Sequence, residues 1–176
     1  MKNILLGVTG SIAVYKAADL ANKLTKTGDS VDVVMTKNAQ EFVAPLTFET
    51  LTKNRVYTDS FEKTGDFDVE HIGLAKKADI VLIAPATANI IGKIASGIAD
   101  DLLTTIVMAV QNKPIVICPA MNTAMYENKI VQANMLKLKE LGYLFIEPRE
   151  SLLACGDLGK GALAETETIL AFIATL

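Results

Sequence analysis

Three short apolar runs, Asn3–Val8 (NILLGV), 79–84 (DIVLIA) and 114–118 (PIVIC), constrain this chain more than any other feature, because none of them alternates apolar with polar residues. A strand that reads as a continuous apolar stretch is covered on both faces, and such strands belong to parallel sheets flanked by helices. The segments between them have the matching period. In 12–27 the apolar residues Ile12, Ala13, Ala17, Leu20, Ala21 and Leu24 recur at helical spacing, and Gly28 supplies a stop. Ser30–Met35 (SVDVVM) and 143–146 (YLFI) predict further strands and 55–61 a minor one, while 39–43, 45–51, 72–78, 90–96, 102–111, 128–141 and 165–175 predict helices. Strands alternating with helices imply an α/β three-layer sandwich of Rossmann type, a parallel sheet flanked by helices on both faces, in a single domain over 1–176. The order of the central strands is not legible.

A chain of 176 residues, 51% of them hydrophobic, buries roughly 70% of its unfolded surface and needs no disulfide or metal to hold it. Its 17 basic and 20 acidic residues form no basic block, which argues against a nucleic-acid footprint or a membrane-surface role and for a small-molecule or protein partner. No apolar stretch approaches the ~20 residues of a membrane span. The N-terminus reaches Gly10 and Lys16 too soon for a signal peptide, so a cytoplasmic protein with reduced thiols is expected. A single histidine and two cysteines exclude a His-rich metal site and a disulfide framework, and no metal is expected.

In such sheets ligands bind beyond the carboxyl ends of the strands. After the first strand comes GVTGSIA, where Gly10 permits close backbone approach and Ser11 opens a helix whose N-terminus suits a phosphate or simply a tight turn. The spacing is neither GxGxxG nor the GK[ST] of a P-loop, so ADP or ATP gains no support. Thr36 follows the second strand; Thr87, Ala88 and Asn89 follow DIVLIA, and as a set they suit a flat heteroaromatic ring. Each Thr or Asn there is also a natural helix N-cap. Lys16 and Lys93 are either phosphate neighbours or, more commonly for such positions, solvated helix residues. The segment 147–164, with Pro148, Gly156, Gly159 and Gly161, has no periodicity and is long for a connection, as functional flaps are.

The string PAMNTAMY at 119–126, with GSIA, PATAN, GIADDLL and LLACGDLGKG, resembles the flavin-containing cysteine decarboxylases, in order along nearly the whole chain. The resemblance is to those members that convert 4′-phosphopantothenoylcysteine to 4′-phosphopantetheine in coenzyme A synthesis. It implies a flavodoxin-like protomer that binds FMN and assembles as a homotrimer, or a larger assembly of trimers, with FMN and substrate where protomers meet. It also implies that Gly10 and Ser11, assisted by Thr36, meet the FMN phosphate, and that Thr87, Ala88, Asn89 and Ala120 lie beside the flavin. His71 matches the active-site histidine, Asn122 the carboxylate-binding asparagine of PxMNxxM, and Cys155 the flap cysteine; Met121 and Met125 pack around the substrate. Three positions depart from the family pattern, Thr87 standing for a Ser among them. Tyr126 stands where Trp is usual and keeps the ring, and Ile90 replaces a Thr and removes a hydroxyl. A synthetase domain fused in some relatives is not expected here, so a separate chain is expected to supply the substrate.

Direct loss of CO₂ from a cysteine carboxylate would leave an unstabilised carbanion. Oxidation of the thiol carbon to a thioaldehyde, with hydride to FMN, places C=S β to the carboxylate; CO₂ then leaves to an enethiolate, which regains a proton and the hydride. His71, whose residue type titrates nearest neutrality, suits the proton removal. Asn122 can donate amide hydrogens to the carboxylate without neutralising it, or cap the helix that follows. Cys155, a thiol mostly protonated at neutral pH and with no nearby His in sequence, suits a proton donor better than a nucleophile. Cys118, inside PIVIC, is expected in the core. The competing functions are a peptidyl-cysteine oxidative decarboxylase, a flavin prenyltransferase of similar fold, and a non-catalytic FMN-binding electron carrier or regulatory protein.

Overall fold

The apolar runs form the centre of one parallel sheet in the computed structural model, which describes residues 1–60, 70–152, 156 and 158–176, with the backbone only for Glu70. In chain order the elements are β1 Asn3–Val8, α1 Val14–Lys26, β2 Ser30–Met35, α2 Lys37–Gln40, α3 Pro45–Thr52, β3 Val56–Tyr57, α4 Glu70–Lys77, β4 Ile80–Ala86, α5 Ala88–Ala95, α6 Leu102–Ala109, β5 Ile115–Pro119, α7 Thr123–Tyr126, α8 Lys129–Glu140, β6 Leu144–Phe145, β7 Arg149–Leu152, β8 Leu158–Ala162 and α9 Thr166–Ala174. The sheet order is β3-β2-β1-β4-β5-β6, all parallel. Without the two-residue edge strand β3, this is the order of flavodoxin-like sheets, with its switch point between β1 and β4.

Burial on both faces follows the strand sequences residue by residue. Ile4, Leu6 and Val8 of β1, with Val31, Val33 and Met35 of β2, join the core under α1, α3 and α9; Leu5, Val34, Val81 and Ile83 join the core under α4, α5, α6 and α8. Asp32, the polar residue of β2, is buried but paired at 2.6 Å with Lys77 of α4, so its charge is not left uncompensated.

The differences from the expected elements have local causes. α1 starts at Val14, because residues 9–13 are used by a turn in which Ser11 N–H donates to the Thr9 carbonyl at 2.8 Å and Ser11 Oγ accepts from Ala13 N–H at 3.3 Å. Ile12 is therefore 57% exposed instead of lying on the buried face of α1. β4 runs on to Ala86, and α2 covers 37–40 where 39–43 was expected. The expected minor strand 55–61 is shortened to Val56–Tyr57: Arg55 and residues 58–60 are not strand, and Phe61 lies outside the described residues. The aperiodic flap contains an antiparallel hairpin, β7 with β8, set apart from the main sheet.

Candidate active site

Thr9, at the end of β1, joins the two turns on which the site is built. Its buried hydroxyl donates to the Pro85 carbonyl at 2.7 Å and accepts from Thr87 N–H at 3.1 Å. Thr87 in turn caps α5, accepting from Ile90 N–H at 3.3 Å. Gly10 cannot carry a side chain, since a Cβ there would lie 2.5 Å from Cβ of Asn38, in the first turn of α2. The ends of β1, β2 and β4 are thereby pressed together around a cleft of about 410 Å³. Gly10, Thr36, Thr87, Ala88, Asn89 and Met125 all line it, together with Lys37, Asn38 and Lys93. Thr36 holds the N-cap position of α2 without using its hydroxyl as a cap. Lys93 is held by Asp100 at 2.7 Å and Asp101 at 3.5 Å, and the Asp100 bond leads in raising its pKa. Asp101 also caps α6, accepting from Thr104 N–H at 2.8 Å.

A second cleft, of about 470 Å³, opens on the other side of the β1 turn, between α1, the end of β5 and the hairpin. Ser11, Ala120 and Asn122 line it, with Tyr15, Lys16 and Arg149. Asn122 Oδ1 accepts from Ala124 N–H at 2.8 Å and so caps α7. The hairpin is tied to this turn by Met121 N–H donating to the Gly161 carbonyl at 2.9 Å.

The expected site residues thus fall into two neighbouring groups. Met125, expected at the substrate, lines the cleft of the expected flavin residues, whereas Ser11 and Ala120 line the cleft that holds Asn122. His71, half-buried in the first turn of α4, lines neither. α4 leads into the start of β4, so its first turn lies toward the carboxyl edge of the sheet. Cys155 lies outside the described residues. Cys118 is fully buried in β5, where burial pushes its thiol far up and keeps it protonated.

Lys37, Asn38, Tyr15 and Arg149 had no signal in the sequence: each is a lone residue in a turn, on an exposed helix face or in an aperiodic stretch. Behind the second cleft, the Tyr126 hydroxyl donates to Glu147 Oε2 at 2.5 Å, and Glu147 is paired with Lys139 at 2.9 Å and Lys160 at 3.1 Å. Burial alone would raise the Glu147 pKa; the hydrogen bonds from Tyr126, Lys139 and Lys160 outweigh it and hold the carboxyl at about 2.

Chemically, the first cleft offers backbone at Gly10 and Ala88, hydroxyls at Thr36 and Thr87, an amide at Asn89 and a cation at Lys37, with Lys93 already paired to Asp100 and Asp101, a donor set for a flat ligand with a phosphate. The Flavoprotein family matches residues 1–176, the whole length. The chain belongs to the Flavoprotein family. This flavoprotein is 49% identical over 170 residues to a probable phosphopantothenoylcysteine decarboxylase of Streptococcus mutans, covering 96% of this chain and 95% of that one. It is 50% identical over 169 residues to the coenzyme A biosynthesis bifunctional protein of Bacillus subtilis, and there the match spans 96% of this chain but only 41% of the longer protein. Among solved structures, a mutant PPC decarboxylase complexed with pantothenoylaminoethenethiol superposes with a TM-score of 0.90 at 38% identity, covering 99% of this chain and 97% of that one. The FMN binding protein AtHal3 does so at 0.87 and 39%, covering 99% and 95%.

Proposed function

We propose that this flavoprotein binds FMN in the cleft at the ends of β1, β2 and β4 and decarboxylates 4′-phosphopantothenoylcysteine to 4′-phosphopantetheine in coenzyme A synthesis. The observation that carries it is the 49% identity to a probable phosphopantothenoylcysteine decarboxylase across 95% of that protein's length. The cleft fits the cofactor. Thr36 has a hydroxyl not spent on its helix, Lys37 brings a cation to the same turn, and Gly10 and Ala88 leave the backbone open to a ring or a phosphate. Bound FMN supplies a hydride acceptor and donor, so the C=S group needed for CO₂ loss is made and removed without an external oxidant.

The chain's own residues do the rest. His71 takes the proton released as the thiol carbon of the substrate is oxidised. Asn122 donates its amide hydrogens to the carboxylate, holding it in place while leaving it ionised until CO₂ departs. Cys155 returns a proton to the enethiolate. Met121 and Met125 pack around the substrate, and Gly10, Ser11, Thr36, Thr87, Ala88, Asn89 and Ala120 hold the cofactor. The pantothenoylaminoethenethiol in the related PPC decarboxylase mutant is itself an enethiol, the class of species expected once CO₂ has left and reduction has not followed. We further propose that 1–176 forms one domain, that it works as a homotrimer with each site completed by a neighbour, that a synthetase chain supplies the substrate, and that it acts in the cytoplasm. Among the described residues no helix is long and apolar enough to cross a membrane.

The test is anaerobic turnover by the purified, FMN-loaded protein. Yellow protein should release CO₂ from 4′-phosphopantothenoylcysteine and form the saturated thiol with no added oxidant; no CO₂ from the reconstituted protein would refute the activity. Cys155→Ser should still release CO₂ while the saturated product is lost and the oxidised one accumulates. Normal yields of saturated product would remove Cys155 from its role.

A further inference from the structure

The helical turn that follows Asn122 is too short to hold itself in place. α7 is only Thr123–Tyr126, and forming one turn fixes several backbone dihedrals for very few hydrogen bonds, so it has little stability of its own. Asn122 is bound into that turn twice. Its Oδ1 accepts from Ala124 N–H at 2.8 Å, and its carbonyl accepts from Tyr126 N–H at 2.9 Å. The Asn122 side chain therefore moves with α7, and whatever orients α7 also aims Asn122.

The tethers lie at the two ends of the turn. At the amino end the tether is backbone, Met121 N–H donating to the Gly161 carbonyl at 2.9 Å. The buried Thr123 hydroxyl has no hydrogen-bond partner among the described residues and adds nothing there. At the carboxyl end, Tyr126 is buried, its phenol donates to Glu147 Oε2 at 2.5 Å, and its carbonyl accepts from Gln132 Nε2 at 2.5 Å. Glu147, just ahead of β7, also pairs with Lys139 of α8 and Lys160 of β8, and the Lys160 ammonium stands 5.4 Å from the centre of the Tyr126 ring. One carboxylate thus joins α7 to α8 and to the hairpin. Neither Tyr126 nor Glu147 lines either cleft, so neither is placed to touch the substrate.

We infer that Tyr126 and Glu147 are positioning residues for Asn122, holding α7 in the orientation that turns the Asn122 side chain toward the substrate carboxylate. The inference rests on the proposed role of Asn122. It gives the hydroxyl that Tyr126 brings in place of the usual Trp a specific task.

The experiment compares two ligands of the FMN-loaded protein that differ in the carboxylate: kcat and KM are measured for 4′-phosphopantothenoylcysteine, and Kd by calorimetry for 4′-phosphopantetheine, which lacks it. Tyr126→Phe and Glu147→Ala should each lower kcat/KM roughly 5-fold or more, the size of one lost hydrogen bond, while Kd for 4′-phosphopantetheine stays within about twofold. Tyr126→Phe should add nothing in the Glu147→Ala background, because the phenol acts through the carboxylate. Equal weakening of substrate and product, which a merely structural role would give, overturns the inference, as do unchanged kinetics or additive losses. Hydrogen exchange reads the same tether without substrate. The Ala124 amide, held by Asn122 Oδ1, should exchange faster in both variants while the amides of β4 keep their protection. Unchanged exchange at Ala124, or a loss of protection shared by β4, overturns the inference. If the unaltered protein releases no CO₂, the proposed reaction fails, and exchange at Ala124 then decides the tether alone.

Discussion

The phenol of Tyr126 gives Glu147 a hydrogen bond that the carboxylate needs, because burial disfavours its charge and Lys139 and Lys160 are partly solvated. The sign of the pH dependence follows. Glu147 is held at about 2, below its ordinary 4.5, so its stabilisation is complete above about pH 4.5 and is lost as the pH falls toward 2. Tyr126→Phe should therefore cost about 1 kcal/mol at pH 7, the usual net worth of one hydrogen bond, and the gap to the parent protein should narrow at pH 2. Urea unfolding at both pH values measures it, and an equal gap at the two would show that the hydroxyl does not act through the carboxylate. At this scale the sequence was informative wherever a residue type has few uses. Asn122 and Thr87 could be recognised as caps as well as site residues, and Cys118 as core, because a strand end or a strand interior restricts what such side chains do. Arg149 was silent, since an arginine in an aperiodic stretch has no pattern to place it.

The hairpin is the element that pattern could not reveal. β7 and β8 pair with each other and not with the main sheet, so neither is covered on both faces, and glycines at 159 and 161 break any alternation. What holds it is backbone. Gly161 has φ +154°, and a Cβ there would lie 2.2 Å from the Met121 carbonyl oxygen, which cannot swing aside as a side chain could. Gly161→Ala should push the hairpin off the PAMNTAMY turn at a cost of about 1–3 kcal/mol, the range for overpacking. The Met121 amide, which donates to the Gly161 carbonyl, should then exchange its hydrogen faster, and decarboxylation should fall because Arg149 and Leu152 move with the wall of the second cleft. Unchanged protection of that amide in the variant would mean that the hairpin tolerates the methyl group. The same limit of pattern explains α1: Ile12 and Ala13 keep helical spacing although the chain there is a turn, so periodicity alone could not set the start of the helix at Val14.

At the scale of the molecule, continuous apolar strands were enough to imply a parallel sheet covered on both faces, but strand order depends on which crossovers pack best, and no short-range pattern encodes that. The order matters here because the switch between β1 and β4 is what sets Thr9, Gly10 and Thr87 side by side. It also leaves His71 toward the same edge of the sheet yet outside both clefts. A base that must reach substrate from there is accounted for if it serves a site on a neighbouring protomer, as the proposed trimer provides. The mass in solution should then be about three times the 18.9 kDa of one chain. Complementation gives the sharper test. His71→Asn and Cys155→Ser proteins should each fail to make the saturated thiol alone, and mixed oligomers, formed by co-expression, should recover part of that activity when His71 and Cys155 of one site come from different chains. If both residues belonged to one chain, every site in the mixture would lack one of them and no activity would return. Flavin content measured on the same preparations separates the two cases from simple loss of cofactor.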